Sequence, residues 1–252
     1  MTIGAQLYTL RAFTQNETDL ARALECVAAI GYTQVQLSAI GSIPPERVRR
    51  LCDDAGLQIV LTHTDPERVR TEIGAVMDEH AVYGCRYVGL GAMPERYRCA
   101  AWIDRFAEDY AAPAEALRAA GLRLMYHNHN FEWERLPDGR RMLDVLLDAM
   151  PASLMGITLD TYWVQAAGAD VLATLRRLKG RLQCVHLKDM DVRGYEQRMA
   201  PVGHGNLDFD AILALLREQG ETEHLLVEQD DCYGRNPFDC LAESYRYLKE
   251  RA

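Results

Sequence analysis

The sequence contains no C-x-x-C pair, and its seven cysteines (26, 52, 85, 99, 184, 232, 240) are odd in number and widely spaced. That pattern suits neither a disulfide framework nor a cysteine zinc site, so the thiols read as reduced, mostly buried small apolar residues of a reducing compartment. No apolar run approaches the roughly eighteen residues that a membrane span needs. The opening MTIGAQLYTLR reads as a strand, not as a basic and apolar signal segment. A cytoplasmic protein without a membrane partner is the expectation. Concentrated positive charge is missing too: 28 Lys and Arg against 37 Asp and Glu leave a formal charge of −9, with no basic stripe. A nucleic-acid partner is therefore not expected, and a small neutral substrate fits better. Also absent is a G-x-G-x-x-G cradle in the first strand-to-helix turn, which argues against the dinucleotide-binding form of an open doubly wound sheet.

What is present is alternation. Short apolar runs and longer segments of helical period follow one another eight times in 252 residues, without a Pro/Gly/Ser-rich linker or a low-complexity stretch. The pattern predicts strands at 3–9, 33–38, 58–63, 87–91, 123–129, 156–161, 183–188 and 225–230. Helices are predicted at 18–30, 45–55, 66–83, 101–120, 141–150, 170–178, 208–219 and 238–250. Gly31, Gly56, Gly84, Gly121, Gly180 and Gly220 each stand where a helix should close before the next strand. Such alternation requires parallel strands with crossover helices, and eight units in a chain of this length close into a barrel more readily than they form an open sheet. The expected fold is a single-domain α/β (β/α)₈ TIM barrel over residues 1–252.

In that fold active sites lie at the C-terminal ends of the strands. Five strands end in metal-competent groups: His63 in LTHT, His127 and His129 in YHNHNFEWE, Asp160 in TLDTYW, His186 in VHLKDM and Glu228 in LVEQDD. Successive strand residues face opposite sides of a sheet. If Ile157, Leu159, Val185, Leu187, Leu225 and Val227 face the helices, then Asp160, His186, Lys188 and Glu228 face the barrel axis. His127 and His129 share a face, and at least one should join them. A mixed set of carboxylates and imidazoles without thiolates suits one divalent ion: Mn²⁺, the leading candidate, or Mg²⁺, Co²⁺ or Zn²⁺. Leaving four unpaired ionisable groups in one mouth costs several kcal/mol for each by desolvation, a cost that a cation removes.

At these residues the sequence resembles the sugar isomerase/epimerase branch of the xylose isomerase-like barrel superfamily, which shares its fold with endonuclease IV. The resemblance runs through GAQLYTLR, THTDPERV, RYVGLGAMPE, YHNHNFEWE, LDTYWV, VHLKDM, PVGHGNLDF and VEQDDCYGRNPFDCLAESYRYL, in that order. It implies one metal ion held by a glutamate of the fifth strand, an aspartate of the sixth, a histidine of the seventh and a glutamate of the eighth. Asp160, His186 and Glu228 match the last three. The first is missing, and its place falls to His127, with His129 and Glu132 as alternatives. In the epimerase and ketol-isomerase members the two metal-bound glutamates also carry the proton, so a symmetric two-glutamate transfer is in question here. Endonuclease-type members have a further histidine three residues after the aspartate, where this chain has Trp163, which argues against abasic-site cleavage.

The chemistry implied is metal-assisted proton abstraction beside a carbonyl of a small sugar or keto sugar, with Glu228 as base and His127, His129 or Glu132 returning the proton. Lys188 could stabilise the oxyanion or simply pair with Asp160 or Asp230. Gln6, Tyr8, His63, His129, Trp133, Tyr162 and Trp163 would wall the sugar, since aromatic faces cover C–H surfaces while amides and imidazoles pair hydroxyls; packing at strand ends is the alternative for each. Glycines flank His204 in PVGHGNLDF, a segment that would either bring backbone to the substrate or turn into the helix at 208. The same intermediate can expel a β-substituent, so a lyase, dehydratase or glycoside-cleaving enzyme on 3-keto sugars is the rival reading. A non-catalytic sugar-binding subunit is a third. The segment CYGRNPF near the mouth could meet a second copy in a homo-oligomer. The absence of an arginine cluster at the strand ends favours an unphosphorylated substrate.

Overall fold

A computed structural model describes residues 1–251. Eight parallel strands close on themselves: β1 (Thr2–Gln6), β2 (Gln34–Leu37), β3 (Gln58–Thr64), β4 (Tyr87–Leu90), β5 (Arg123–His127), β6 (Met155–Asp160), β7 (Cys184–Leu187) and β10 (His224–Val227), which pairs with both β7 and β1. Helices ring the barrel: α1 (Glu17–Ile30), α2 (Pro45–Asp54), α3 (Pro66–Thr71), α4 (Ile73–Tyr83), α5 (Arg105–Ala119), α6 (Met142–Ala149), α7 (Thr161–Ala166), α8 (Val171–Arg177), α9 (Phe209–Gln219) and α10 (Pro237–Leu248). The expected (β/α)₈ barrel is therefore the fold. Among the described residues no helix is long and apolar enough to cross a membrane.

The local signals explain most boundaries. Asn16 starts α1 by accepting a hydrogen bond from the Asp19 amide, and Pro45, Pro66 and Pro237 open helices where the missing N–H costs nothing. All six helix-closing glycines have positive φ. At Gly84 and Gly220 the backbone is left-handed, at φ of 62° and 72°, where any side chain would be strained.

Three departures matter. The helix predicted at 66–83 breaks at Glu72, whose φ of −129° and ψ of 35° leave the helical region between α3 and α4. The strands predicted to 129 and 161 stop at His127 and Asp160, because the polar ends leave the sheet: Asp160 becomes the N-cap of the unforeseen α7, its side chain accepting from the Trp163 amide. Beyond β7 lies an antiparallel hairpin, β8 (Asp189–Arg193) and β9 (Glu196–Ala200), read in the sequence as loop.

Two apolar bodies hold the barrel. The larger joins the outward strand residues Ile157, Leu159, Val185, Leu187, Leu225 and Val227 to the helices, and the smaller fills the barrel axis with Val60, Leu61, Tyr87, Met125, Cys184 and Leu226. Burying a residue such as Leu226 contributes about 1.5–3 kcal/mol. All seven cysteines are free.

Candidate functional site

Two residues beyond the axial apolar plug, the same faces of the same strands carry ionisable groups. Met125 is followed by His127 on β5, Thr158 by Asp160 on β6, Cys184 by His186 on β7, and Leu226 by Glu228 at the end of β10. The step of two residues keeps each side chain inward and raises it by about 7 Å toward the mouth. His127, Asp160, His186 and Glu228 are all buried, and one ligand atom from each lies within 4.8 Å of the others.

Each imidazole is oriented from behind. His127 Nδ1 donates to the Gly91 carbonyl at 3.0 Å, which leaves Nε2 facing Asp160 Oδ2 at 3.3 Å and Glu228 Oε2 at 4.0 Å. His186 Nε2 donates to Gln36 Oε1 at 2.7 Å, and its Nδ1 lies 3.0 Å from Glu228 Oε2 and 4.0 Å from Asp160 Oδ2. That Nδ1 makes no hydrogen bond. Asp160 is held by its cap to Trp163 through Oδ1, and its amide donates to Asn128 Oδ1 at 3.0 Å. Glu228 Oε1 accepts from Gln6 Nε2. Lys188 Nζ reaches Asp230 at 2.7 Å, Glu228 at 3.2 Å and Asp160 at 3.4 Å.

The electrostatics follow from crowding. Burial alone would lower Lys188, but Asp160, Glu228 and Asp230 outweigh it and hold the ammonium protonated. Burial and the charge of Glu228 push Asp230 up to about 6. Burial opposes charging His127, yet its hydrogen bond to Asp160 and the charge of Glu228 raise it; His186 is held below its ordinary value by burial. Burial would raise Glu228, but the Lys188 ammonium keeps it a carboxylate.

The donor set fits a divalent cation. Without a metal, a proton on His127 Nε2 serves Asp160; once that proton is lost, the inner lone pairs of both imidazoles face carboxylate oxygens, an arrangement that a cation between them converts from repulsion to attraction. Three carboxylates against one ammonium leave two negative charges when both imidazoles are neutral, the charge that one such ion cancels. Two oxygens and two nitrogens without sulfur suit Mn²⁺, Co²⁺ or Zn²⁺.

Above the cluster lies a cavity of about 300 Å³ lined by Tyr8, Ser38, His63, His129, Lys188 and Asp230 among others. His63 Nδ1 pairs with Ser38 Oγ at 3.0 Å, while its Nε2 is buried without a partner. His129 sits edge-on to His127, its Nδ1 is also buried and unpartnered, and burial pushes its pKa down to about 3. The Trp163 ring lies 5.3 Å from both the His129 ring and Lys188 Nζ. The Arg11 guanidinium lies 4.3 Å over the Tyr8 ring.

Four sequence expectations need correction. Gln6 is buried and does not line the mouth cavity: its amide is used by Glu228 on one side and by the Tyr8 amide on the other. Glu132 lies outside both the four-residue cluster and the mouth cavity: it is buried, and the Tyr126 hydroxyl and the His129 amide donate to its carboxylate. Trp133 packs against the hydrophobic core between sheet and helices. His204 is exposed and lies outside the mouth cavity. The glycines beside it bring backbone to Asp189 instead, whose carboxylate accepts from the Gly203, Gly205 and Leu207 amides. A Cβ on Gly205 would come within 2.5 Å of that carboxylate.

Sequence reasoning overlooked Gln36, Asn128 and the Gly91 carbonyl, which orient the cluster from behind, and Ser38, which holds His63. Gln36 left a trace, a polar residue on the inward face of Gln-Val-Gln-Leu in β2. The Gly91 carbonyl left none, because every residue has one.

With the geometry in view, comparison with known proteins is informative. An inosose dehydratase of Clostridium perfringens is 25% identical over 147 residues, 52% of this chain and 48% of that protein. The chain spans about half the length of the curated relatives it matches. A sugar phosphate isomerase/epimerase from Parabacteroides distasonis superposes with a TM-score of 0.82 at 22% identity, over 99% of this chain and 98% of that one. An L-ribulose 3-epimerase superposes at 0.75 and 16%, over 99% and 93%. At those identities the superpositions establish the fold. The family model described as xylose isomerase-like TIM barrel matches residues 24–251, and this chain, with its strand-end carboxylates and imidazoles around one barrel axis, belongs to that family.

Proposed function

We propose that the protein is a divalent-metal-dependent epimerase or isomerase of a small unphosphorylated sugar or keto sugar. The observation that carries this reading is the convergence of His127, Asp160, His186 and Glu228, with Lys188 beside them, where His127, Glu228 and Lys188 line a cavity of about 300 Å³. Held by those four residues, a divalent ion would supply Lewis acidity at the substrate carbonyl, making the neighbouring C–H more acidic.

The protein's own groups do the rest. Glu228, fixed by Gln6 and kept ionised by Lys188, accepts the proton from the carbon next to the carbonyl. Lys188, anchored among three carboxylates, stands where negative charge develops on the substrate oxygen. Glu228, once protonated, can hand the same proton back to the enediolate, so an isomerisation balances without a second base, while His129, kept neutral by burial, pairs a substrate hydroxyl through its unpartnered Nδ1. His63 Nε2 and the Trp163 indole are the hydroxyl-pairing and ring-covering parts of the wall.

A dehydratase or glycoside-cleaving enzyme on keto sugars is the second reading. It draws on His127, which stands where the resemblance calls for a second glutamate, and on the curated relatives, which are named inosose dehydratases. Incubation with Mn²⁺ and a panel of keto sugars and 3-keto-glycosides in D₂O tests both. Deuterium in an epimerised product supports the epimerase, and loss of water or release of an aglycone supports the second reading. Failure of every panel member to exchange, epimerise or eliminate would sink both.

A further inference from the structure

Beside the mouth lies a second cavity, of about 450 Å³, in which Tyr162 and Trp163 of α7, Tyr195 and Gln197 of the β8–β9 hairpin, Tyr233 after β10 and Asn130 after β5 come together. Trp163 joins the two spaces, since its ring lines this cavity and lies 5.3 Å from His129 and from Lys188, which line the mouth. Its indole N–H is buried and has no hydrogen-bond partner.

The cavity is a built feature. The Tyr233 hydroxyl accepts from the Met199 amide at 3.1 Å, and the Arg198 guanidinium lies 4.9 Å over its ring, so the loop after β10 is tied to the hairpin. Tyr233 has a φ of 51°, a conformation that a bulky residue adopts only when its surroundings hold it there. Tyr162 meets Trp163 edge to face at 5.0 Å. Tyr195 is fully exposed and Tyr233 is 41% exposed, so both present aromatic surface to solvent.

Aromatic faces beside amide side chains form the surface that recognises a sugar ring: the rings cover C–H faces and the amides pair hydroxyls. Ligand cavities usually run from roughly 300 to 1,000 Å³, so the mouth alone stands at the small end of that range. We propose that the second cavity is a subsite for a further sugar ring, and that the substrate handled in the mouth is one unit of a disaccharide or larger glycoside of sugars. The proposal rests on the sugar-substrate reading above.

The test is binding, not turnover. Cellobiose, maltose, lactose, sucrose and trehalose, each against its constituent monosaccharides, are titrated into the full chain with Mn²⁺ by calorimetry and ligand-observed NMR. At least one disaccharide is expected to bind about tenfold more tightly than its monosaccharides. The double variant Tyr195→Ala/Tyr233→Ala should remove that advantage and leave monosaccharide binding unchanged. Tyr195→Ala alone, at a fully exposed hairpin turn, should remove part of it without any folding defect. The proposal is overturned if no disaccharide exceeds its monosaccharides, or if the advantage survives the double variant. Proton exchange on monosaccharides without a disaccharide advantage overturns the subsite alone; a disaccharide advantage without any exchange overturns the proposed chemistry alone.

Discussion

Two neighbouring layers of the barrel axis share strands β5, β7 and β10 and the same side-chain alternation, yet they are opposites. One layer is an apolar plug of Met125, Cys184, Leu226 and their neighbours, and the next, two residues further along, holds His127, His186 and Glu228, with Asp160 and Lys188 beside them. The plug gains free energy by leaving water. The cluster loses it, and recovers the loss through mutual pairing and, under the proposed reading, through a bound cation. The comparison teaches that stability and chemistry are separated here by one pleat of a strand.

The sharpest way to break this contrast is on β10 itself. Glu228→Gln should lower turnover of the sugar substrate by about 10²- to 10⁴-fold, while the circular dichroism spectrum and cooperative unfolding persist; retained activity would remove Glu228 as the base. Its neighbour on the same face, Leu226→Ala, should cost about 2–5 kcal/mol in urea unfolding through the cavity it leaves. A cost there below about 1 kcal/mol would mean that the axis is loosely packed.

A smaller effect separates the layers by ligand. Mn²⁺ at a hundredfold excess over its dissociation constant should stabilise the wild type by about 2.7 kcal/mol. The gain should vanish in Asp160→Asn and persist in Leu226→Ala, and a thermal melt with and without chelator reads both. Next, Gln36→Leu removes the acceptor that fixes the His186 ring, and should weaken metal affinity by about 10- to 100-fold in a calorimetric titration. Least of all, Trp133→Phe should leave substrate KM within about twofold, because that ring packs against core; a large rise in KM would return Trp133 to the substrate wall.

The alternation of runs, the helix-closing glycines and the inward phase of Asp160, His186 and Glu228 were legible because each depends on local geometry, the period of a strand or the sign of one φ. The two histidines of the fifth strand could not be separated that way, since residues two apart share a face. The structure divides them by where β5 ends: His127 stays in the sheet and joins the cluster, while His129 leaves it and turns toward Trp163. Glu132 looked as available as His129, and only folding brings Tyr126 to its carboxylate.

What the sequence determined by itself is the barrel and the strand ends whose ionisable groups converge, because burial and backbone handedness act over a few residues at a time. Only the tertiary structure decided which groups serve as supports. Gln6 lies 222 residues from Glu228, and Gln36 lies 150 residues from His186. Hydrogen bonds across such separations are set by how eight strands close into a ring, and no local pattern in the chain encodes them.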